Sequence, residues 1–137
     1  MSDPSVQLDR IDDGIAHMTF PACKVDGNAV RLMYETTATL MDEHDLKLLI
    51  DFTGVGLLSS GAIGMLVTIR KKMMSIGGQL HVVIPDENVM GTMKIMNLHI
   101  VMNLFDALDP ARKFKPIAAG TDAGTGRRQR GIGAGAG

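Results

Sequence analysis

Apolar and polar positions alternate at the start of the chain, switch to helical spacing twice, and then lose their pattern. Val6 and Leu8 fall on one side of an extended segment, with Gln7 and Asp9 on the other. After Asp13-Gly14, a dipeptide suited to a two-residue turn, Ala16, Met18 and Phe20 resume the alternation. The pattern predicts a β-hairpin with arms at 5–11 and 15–20, followed by a loop at Pro21-Ala22-Cys23-Lys24. Val30, Met33, Tyr34, Thr37, Leu40 and Met41 then recur at helical spacing. The helix starts around Val25-Asp26-Gly27-Asn28, with Asn28 as the expected cap.

Residues 46–52 are apolar apart from Lys47 and Asp51, as in a strand covered on both faces. A second helix is predicted over 59–76, with Ala62, Met65, Leu66, Ile69, Met73 and Ile76 as its inner stripe and Ile63 on the border. Gly77-Gly78 ends it, because glycine accepts the left-handed cap conformation. Residues 79–84 form another apolar strand. Asp86 caps a third helix with Val89, Met90, Met93 and Met96 inside, Asn97 closes it, and 100–105 is the last predicted strand. Strand, helix and strand across 46–84 make a βαβ unit, so the expected fold is α/β. It is a single domain over residues 1–112, with a mixed sheet of about five strands and helices packed against it. Residues 113–137 form a flexible tail containing Gly and Arg, and 121–137 has the composition of a disordered segment.

Composition narrows the class. The 137 residues are 45% hydrophobic and 21% charged, with a formal net charge of -1, which gives no reason to expect nucleic acid or an anionic membrane as partner. No apolar run approaches the roughly eighteen residues of a membrane span. The polar, acidic start Met1-Ser2-Asp3-Pro4 does not resemble a signal peptide. One cysteine, Cys23, rules out an internal disulfide and suits a reducing cytoplasm. Eleven Met and no Trp leave aliphatics and thioethers to fill the core, or Met to line a partner surface.

Candidate chemistry concentrates on Ser59 and Ser60, at the junction of a buried strand, a short loop and a helix. In βαβ units this edge is the usual functional rim. Ser59 as helix cap with Ser60 in the first turn is one reading. Phosphorylation is the other, since a helix start accommodates about -1.5 to -2 added charges, and the two are compatible. The serines lack the Gly-x-Ser-x-Gly pattern of a hydrolase elbow. Gly54-Val55-Gly56 lacks the third glycine of a dinucleotide fingerprint, and no phosphate-binding Gly-Lys-Ser/Thr ending occurs. His17, His44, His81 and His99 show no metal spacing and read as ordinary strand or surface histidines. Arg127, Arg128 and Arg130 read as a solvated tail. Catalytic residues, metal ligands and cofactors are therefore not expected.

In order and spacing, several segments resemble the STAS domains of bacterial anti-sigma factor antagonists. Asp51-Phe52-Thr53-Gly54 looks like the family's strand end, and Ser59-Ser60-Gly61-Ala62-Ile63-Gly64 like its switch segment. Gly77-Gly78 before Leu80-His81-Val82-Val83, Val25-Asp26 before the first helix and Asn97-Leu98 fall at matching places, so the likeness covers roughly residues 6–108. Ser60 takes the place of the phosphoacceptor. Ser59 stands where the family has aspartate, Gly61 where it has its second serine, and Ala62 where it has glycine. Past Leu108 the amphipathic final helix of the family is not evident.

The resemblance implies a STAS-like single domain that acts in the cytoplasm as an anti-sigma factor antagonist, without catalysis of its own. Its implied partners are an anti-sigma factor that is also a serine kinase and an opposing serine phosphatase, with phosphorylation at Ser60 or Ser59. The implied partner-binding residues are Asp26, Leu58, Ser59, Ser60, Gly61 and Ile63. The alternative is a non-phosphorylated STAS adaptor in a stress-signalling or lipid-transport assembly. A small-molecule or enzymatic domain using the same rim is a further rival, which the lack of an acid–base pair disfavours.

Overall fold

Alternation in the first twenty residues becomes an antiparallel pair. In the computed structural model, which describes residues 5–12 and 14–115, β1 (Gln7–Ile11) runs against β2 (Ile15–Thr19). Ile11 faces Ile15, so three residues and not two connect the arms. The ends of this connection, Asp12 and Gly14, both have positive φ, and the expected Asp13 turn position lies outside the described residues. A short strand, β3 (Lys24–Val25), forms where the expected loop meets the expected helix start, and α1 (Gly27–Asp42) follows. Helix α1 begins earlier than the Asn28 cap predicts. The Asp26 carbonyl already accepts from Ala29 N at 2.9 Å, making Asp26 the cap position, while Asn28 instead receives a hydrogen bond from Arg31.

The middle of the chain supplies β4 (Lys47–Asp51), β5 (Leu57–Leu58), α2 (Ser60–Ser75) and β6 (Gln79–Val83). After it come α3 (Glu87–Ile95), the single turn α4 (Leu98–Val101), β7 (Asn103–Phe105) and the single turn α5 (Leu108–Ala111). The main sheet has the order β1-β2-β4-β6-β7, and all its pairs except β1–β2 are parallel. It is the mixed five-stranded sheet expected, with helices packed on it. Two local corrections apply. The strand expected at 100–105 begins only at Asn103, because Asn97 adopts a left-handed conformation and restarts the chain as α4. A single turn of helix that the pattern does not predict also forms at α5.

One face of the sheet meets α1, α2 and α3 through a core that includes Met18, Met33, Ile50, Leu66, Ile69, Met73, Val82 and Met93. Most of the methionines on this face thus serve as packing, each worth about 1.5–3 kcal/mol of apolar burial. Met74 and Met96 stay exposed, the latter against the inner position expected for it. Ile63, expected at a border, is buried. The opposite face is covered by Ala111 of α5 and by Phe105, Leu108 and Phe114, over Ile15, Leu49 and Val83. Here Phe114 stacks on His81 at 3.8 Å, and Lys115 exchanges two hydrogen bonds with Gln79. Residues past the expected boundary at 112 therefore still pack on β6, and the rest of the expected tail lies outside the described residues. Arg112 closes this layer with a two-pronged contact, at 2.7 Å on each oxygen, to Asp12 in the hairpin connection.

Two stability tests follow from this packing. A Cβ at Gly78 would lie 2.7 Å from the Met73 methyl, 3.1 Å from the Leu46 carbonyl and 3.2 Å from the Met73 carbonyl. The methyl can move but the carbonyls cannot, so Gly78→Ala is expected to cost about 1–3 kcal/mol. Gly64, on α2 with open space beside it, behaves in the opposite way, and Gly64→Ala is expected to stabilise by about 0.5–1 kcal/mol. Urea denaturation of both variants checks the signs. Burial also holds the His81 imidazole below its usual pKa, although its Nδ1–H donates to the Ala111 carbonyl at 2.8 Å. The unfolded ring gains a proton near pH 6.5 while the folded one stays neutral, so this stability is present above about pH 6.5 and lost as pH falls toward the folded-state value. Stability measured from about pH 7 down to about pH 5.5 is expected to fall more steeply in the native chain than in His81→Gln.

Candidate functional site

An aspartate at the buried carboxyl end of a strand needs partners for both oxygens. At the end of β4, Asp51 Oδ1 accepts from Thr53 N at 2.9 Å and from the Thr53 hydroxyl at 2.6 Å, while Oδ2 pairs with His17 Nε2 of β2 at 2.9 Å. The first two bonds bend the chain into a turn, closed by Val55 N donating to the Phe52 carbonyl at 2.9 Å. Gly54 holds the third turn position at φ +87°, where glycine is favoured. Phe52 is pinned beneath, stacked on Phe20.

The turn delivers the next residues against the segment before α1. Gly56 N and Leu57 N donate to the Cys23 carbonyl at 2.8 and 3.2 Å, and Ser59 N donates to the Val25 carbonyl at 3.1 Å. Strands β3 and β5 therefore pair in parallel, Lys24 with Leu57 and Val25 with Leu58. One step further along this register, Asp26 and Ser59 lie side by side as the cap positions of α1 and α2. Two helix starts share one rim.

Within the rim the serines divide their work. Ser59 Oγ accepts from Ala62 N at 3.1 Å and caps α2. Ser60 is exposed, and its hydroxyl bonds to no described residue. The first N–H groups of a helix lack intrahelical acceptors, and those of Ser60 and Gly61 remain without one among the described residues. No acidic residue lies in the first turn of α2, so an anion placed there meets the positive end of the helix. Asp26 is half exposed beside Lys24, at 3.3 Å.

The rim thus brings together four of the six residues expected to contact a partner: Asp26, Ser59, Ser60 and Gly61. Leu58 and Ile63 do not join them. Both are buried in the core under α2, and the side chain that β5 turns outward is Leu57, 52% exposed. The sequence pattern did not single out the Asp51–His17–Thr53 group. The signal available for it was a carboxylate at the end of an otherwise apolar strand. Among the described residues no cluster of His, Cys, Asp and Glu is arranged to hold a metal, and no helix is long and apolar enough to cross a membrane.

Residues 12–111 match the model of the STAS domain. The chain belongs to the STAS domain family. By sequence, no curated protein matches it. Solved structures with this STAS fold include the anti-sigma factor antagonist SpoIIAA in its unphosphorylated form, at TM-score 0.64 and 14% identity over 78% of this chain and 93% of that one. The Bacillus cell fate determinant SpoIIAA in the phosphorylated form matches at TM-score 0.62 and 13% identity, over 78% and 95%. An anti-sigma factor antagonist from Mycobacterium paratuberculosis matches at TM-score 0.63 and 17% identity, over 81% and 94%. At these identities the likeness is one of fold, and it spans nearly the whole of each relative.

The division between the two serines has a direct test. Ser59→Ala removes the cap of α2 and is expected to cost about 0.5–2 kcal/mol in chemical denaturation. Ser60→Ala touches no contact and is expected to stay within about 0.5 kcal/mol of the native chain.

Proposed function

We propose that this STAS domain is an anti-sigma factor antagonist, switched by phosphorylation of Ser60. The observation that carries the reading is the free, exposed Ser60 hydroxyl at the start of α2, beside a serine that already satisfies the cap. A phosphate on Ser60 needs no rearrangement of the fold, because Ser59 keeps α2 anchored. Support also comes from SpoIIAA, whose phosphorylated and unphosphorylated forms match this chain with closely similar TM-scores of 0.62 and 0.64. The unmodified rim, with Leu57, Ser60, Gly61 and Asp26 exposed, binds an anti-sigma factor and so releases its sigma factor. That anti-sigma factor is the serine kinase, and a serine phosphatase restores the binding state in the cytoplasm.

The switch acts through charge and bulk. A phosphate in the contact surface must be desolvated against the partner, and an unpaired charge there is costly. A second reading, a constitutive STAS adaptor in a stress-signalling or lipid-transport assembly, draws its support from Ser59 standing in place of the family's aspartate. Such a rim offers a kinase no acidic neighbour in the first turn.

Calorimetric titration of the anti-sigma factor captured from host lysate separates the two. Ser60→Asp is expected to bind at least about tenfold more weakly than Ser60→Ala, a difference of about 1.4 kcal/mol or more. Equal affinities would favour the adaptor.

A further inference from the structure

On the far side of β6 from the rim, α3 and the sheet's last strand β7 enclose an open cleft of about 580 Å³. That volume is in the range of small-molecule sites. No residue of the β3–β5 ladder or of the first turn of α2 lines it. Its lining includes apolar Met90 on the helix side and Leu104 on the strand side, while Phe105 turns its ring to the opposite face of the sheet.

The two ends of the cleft differ in charge. Because β6 and β7 are parallel neighbours, α3 has to run back from the carboxyl end of β6 toward the amino end of β7. Glu87, in the first turn of α3, therefore shares an end with Asp106, which follows β7. Lys94, in the last turn, shares the other end with His99, which precedes β7. The seven-residue separation of Glu87 from Lys94 amounts to about 10.5 Å along the helix. All four side chains are without an ion pair or hydrogen bond to any described residue. Between the ends, Gly91 leaves the helix wall bare, with open space where a Cβ would stand.

We infer that this cleft binds a short apolar zwitterion, of which an apolar tripeptide with free termini is the simplest form. Three extended residues span about 10 Å, which matches the separation of the charged ends. The ammonium group lies at Glu87 and Asp106 and the carboxylate at Lys94 and His99, with the apolar side chains against Met90 and Leu104. A fatty acid or a hydrophobic amine answers only one end and leaves the other end unmatched.

The test is NMR titration of the full chain with trileucine, with its N-acetylated form and with its C-terminal amide. Free trileucine is expected to shift the Met90 methyl and the Leu104 and Phe105 amides saturably. Each blocked form is expected to bind about tenfold more weakly. Lys94→Met removes the penalty for amidation while keeping that for acetylation, and Glu87→Gln does the reverse. Gly91→Leu fills the cleft and is expected to abolish the shifts. The two charge variants alter exposed side chains and keep the test independent of whether Gly91→Leu folds. Absence of saturable shifts, equal affinity for free and blocked peptides, or shifts confined to the rim would each overturn the inference.

Discussion

The buried carboxylate of Asp51 is the constraint from which the candidate site is built. Isolated at the end of β4, it would be costly to bury, so it takes two donors from Thr53 and one contact with His17. Those bonds set the turn at residues 52–55, and the turn sets where Gly56, Leu57 and Ser59 meet the backbone of Cys23 and Val25. Two helix starts are aligned as a consequence, and Ser59 and Ser60 acquire different roles. The inner serine closes the helix end, and the outer one is left to solvent. His17 adds a tie to the neighbouring strand, so the rim is anchored to the centre of the sheet and not to a loose loop.

Much of this architecture is legible in the amino-acid pattern because it rests on long periodic runs. The stripe from Ala62 to Met73 is a helix in sequence and in structure, and the apolar runs around Leu49 and Val82 are central parallel strands. The STAS resemblance, carried by short motifs in order, agrees with the family match over residues 12–111. What the pattern hides is non-periodic or non-local. The β3–β5 ladder has two residues per strand, too few for any alternation to show. The Asp51–His17 contact joins positions 34 apart in sequence. The start of β7 departs from the apolar pattern because Ile100 and Val101 are apolar yet exposed, on a turn of helix that the left-handed Asn97 initiates. At the rim, spacing marked the serines but could not tell that Leu58 and Ile63 turn inward. The direction of Leu58, in so short a strand, depends on the partner strand it pairs with, and Ile63 sits at the edge of the apolar stripe of α2.

The proposed switch uses this arrangement economically. Charge added at Ser60 falls at the positive end of α2, where the helix tolerates it, yet on a surface offered to a partner. Stability and recognition are thereby separated by one residue. Were the cap itself the modified group, the same event would loosen the helix as well as change its surface. The charged cleft beside β7 lies apart from this rim and shares none of its residues.

Peptide mapping by mass spectrometry of the protein isolated from its native host bears most directly on the role proposed for Ser60. The expected result is a single phosphate on Ser60, present in one growth condition and removed in another, with Ser59 unmodified. A chain that carries no phosphate on Ser60 under any condition, or carries it only on Ser59, would contradict the proposed switch.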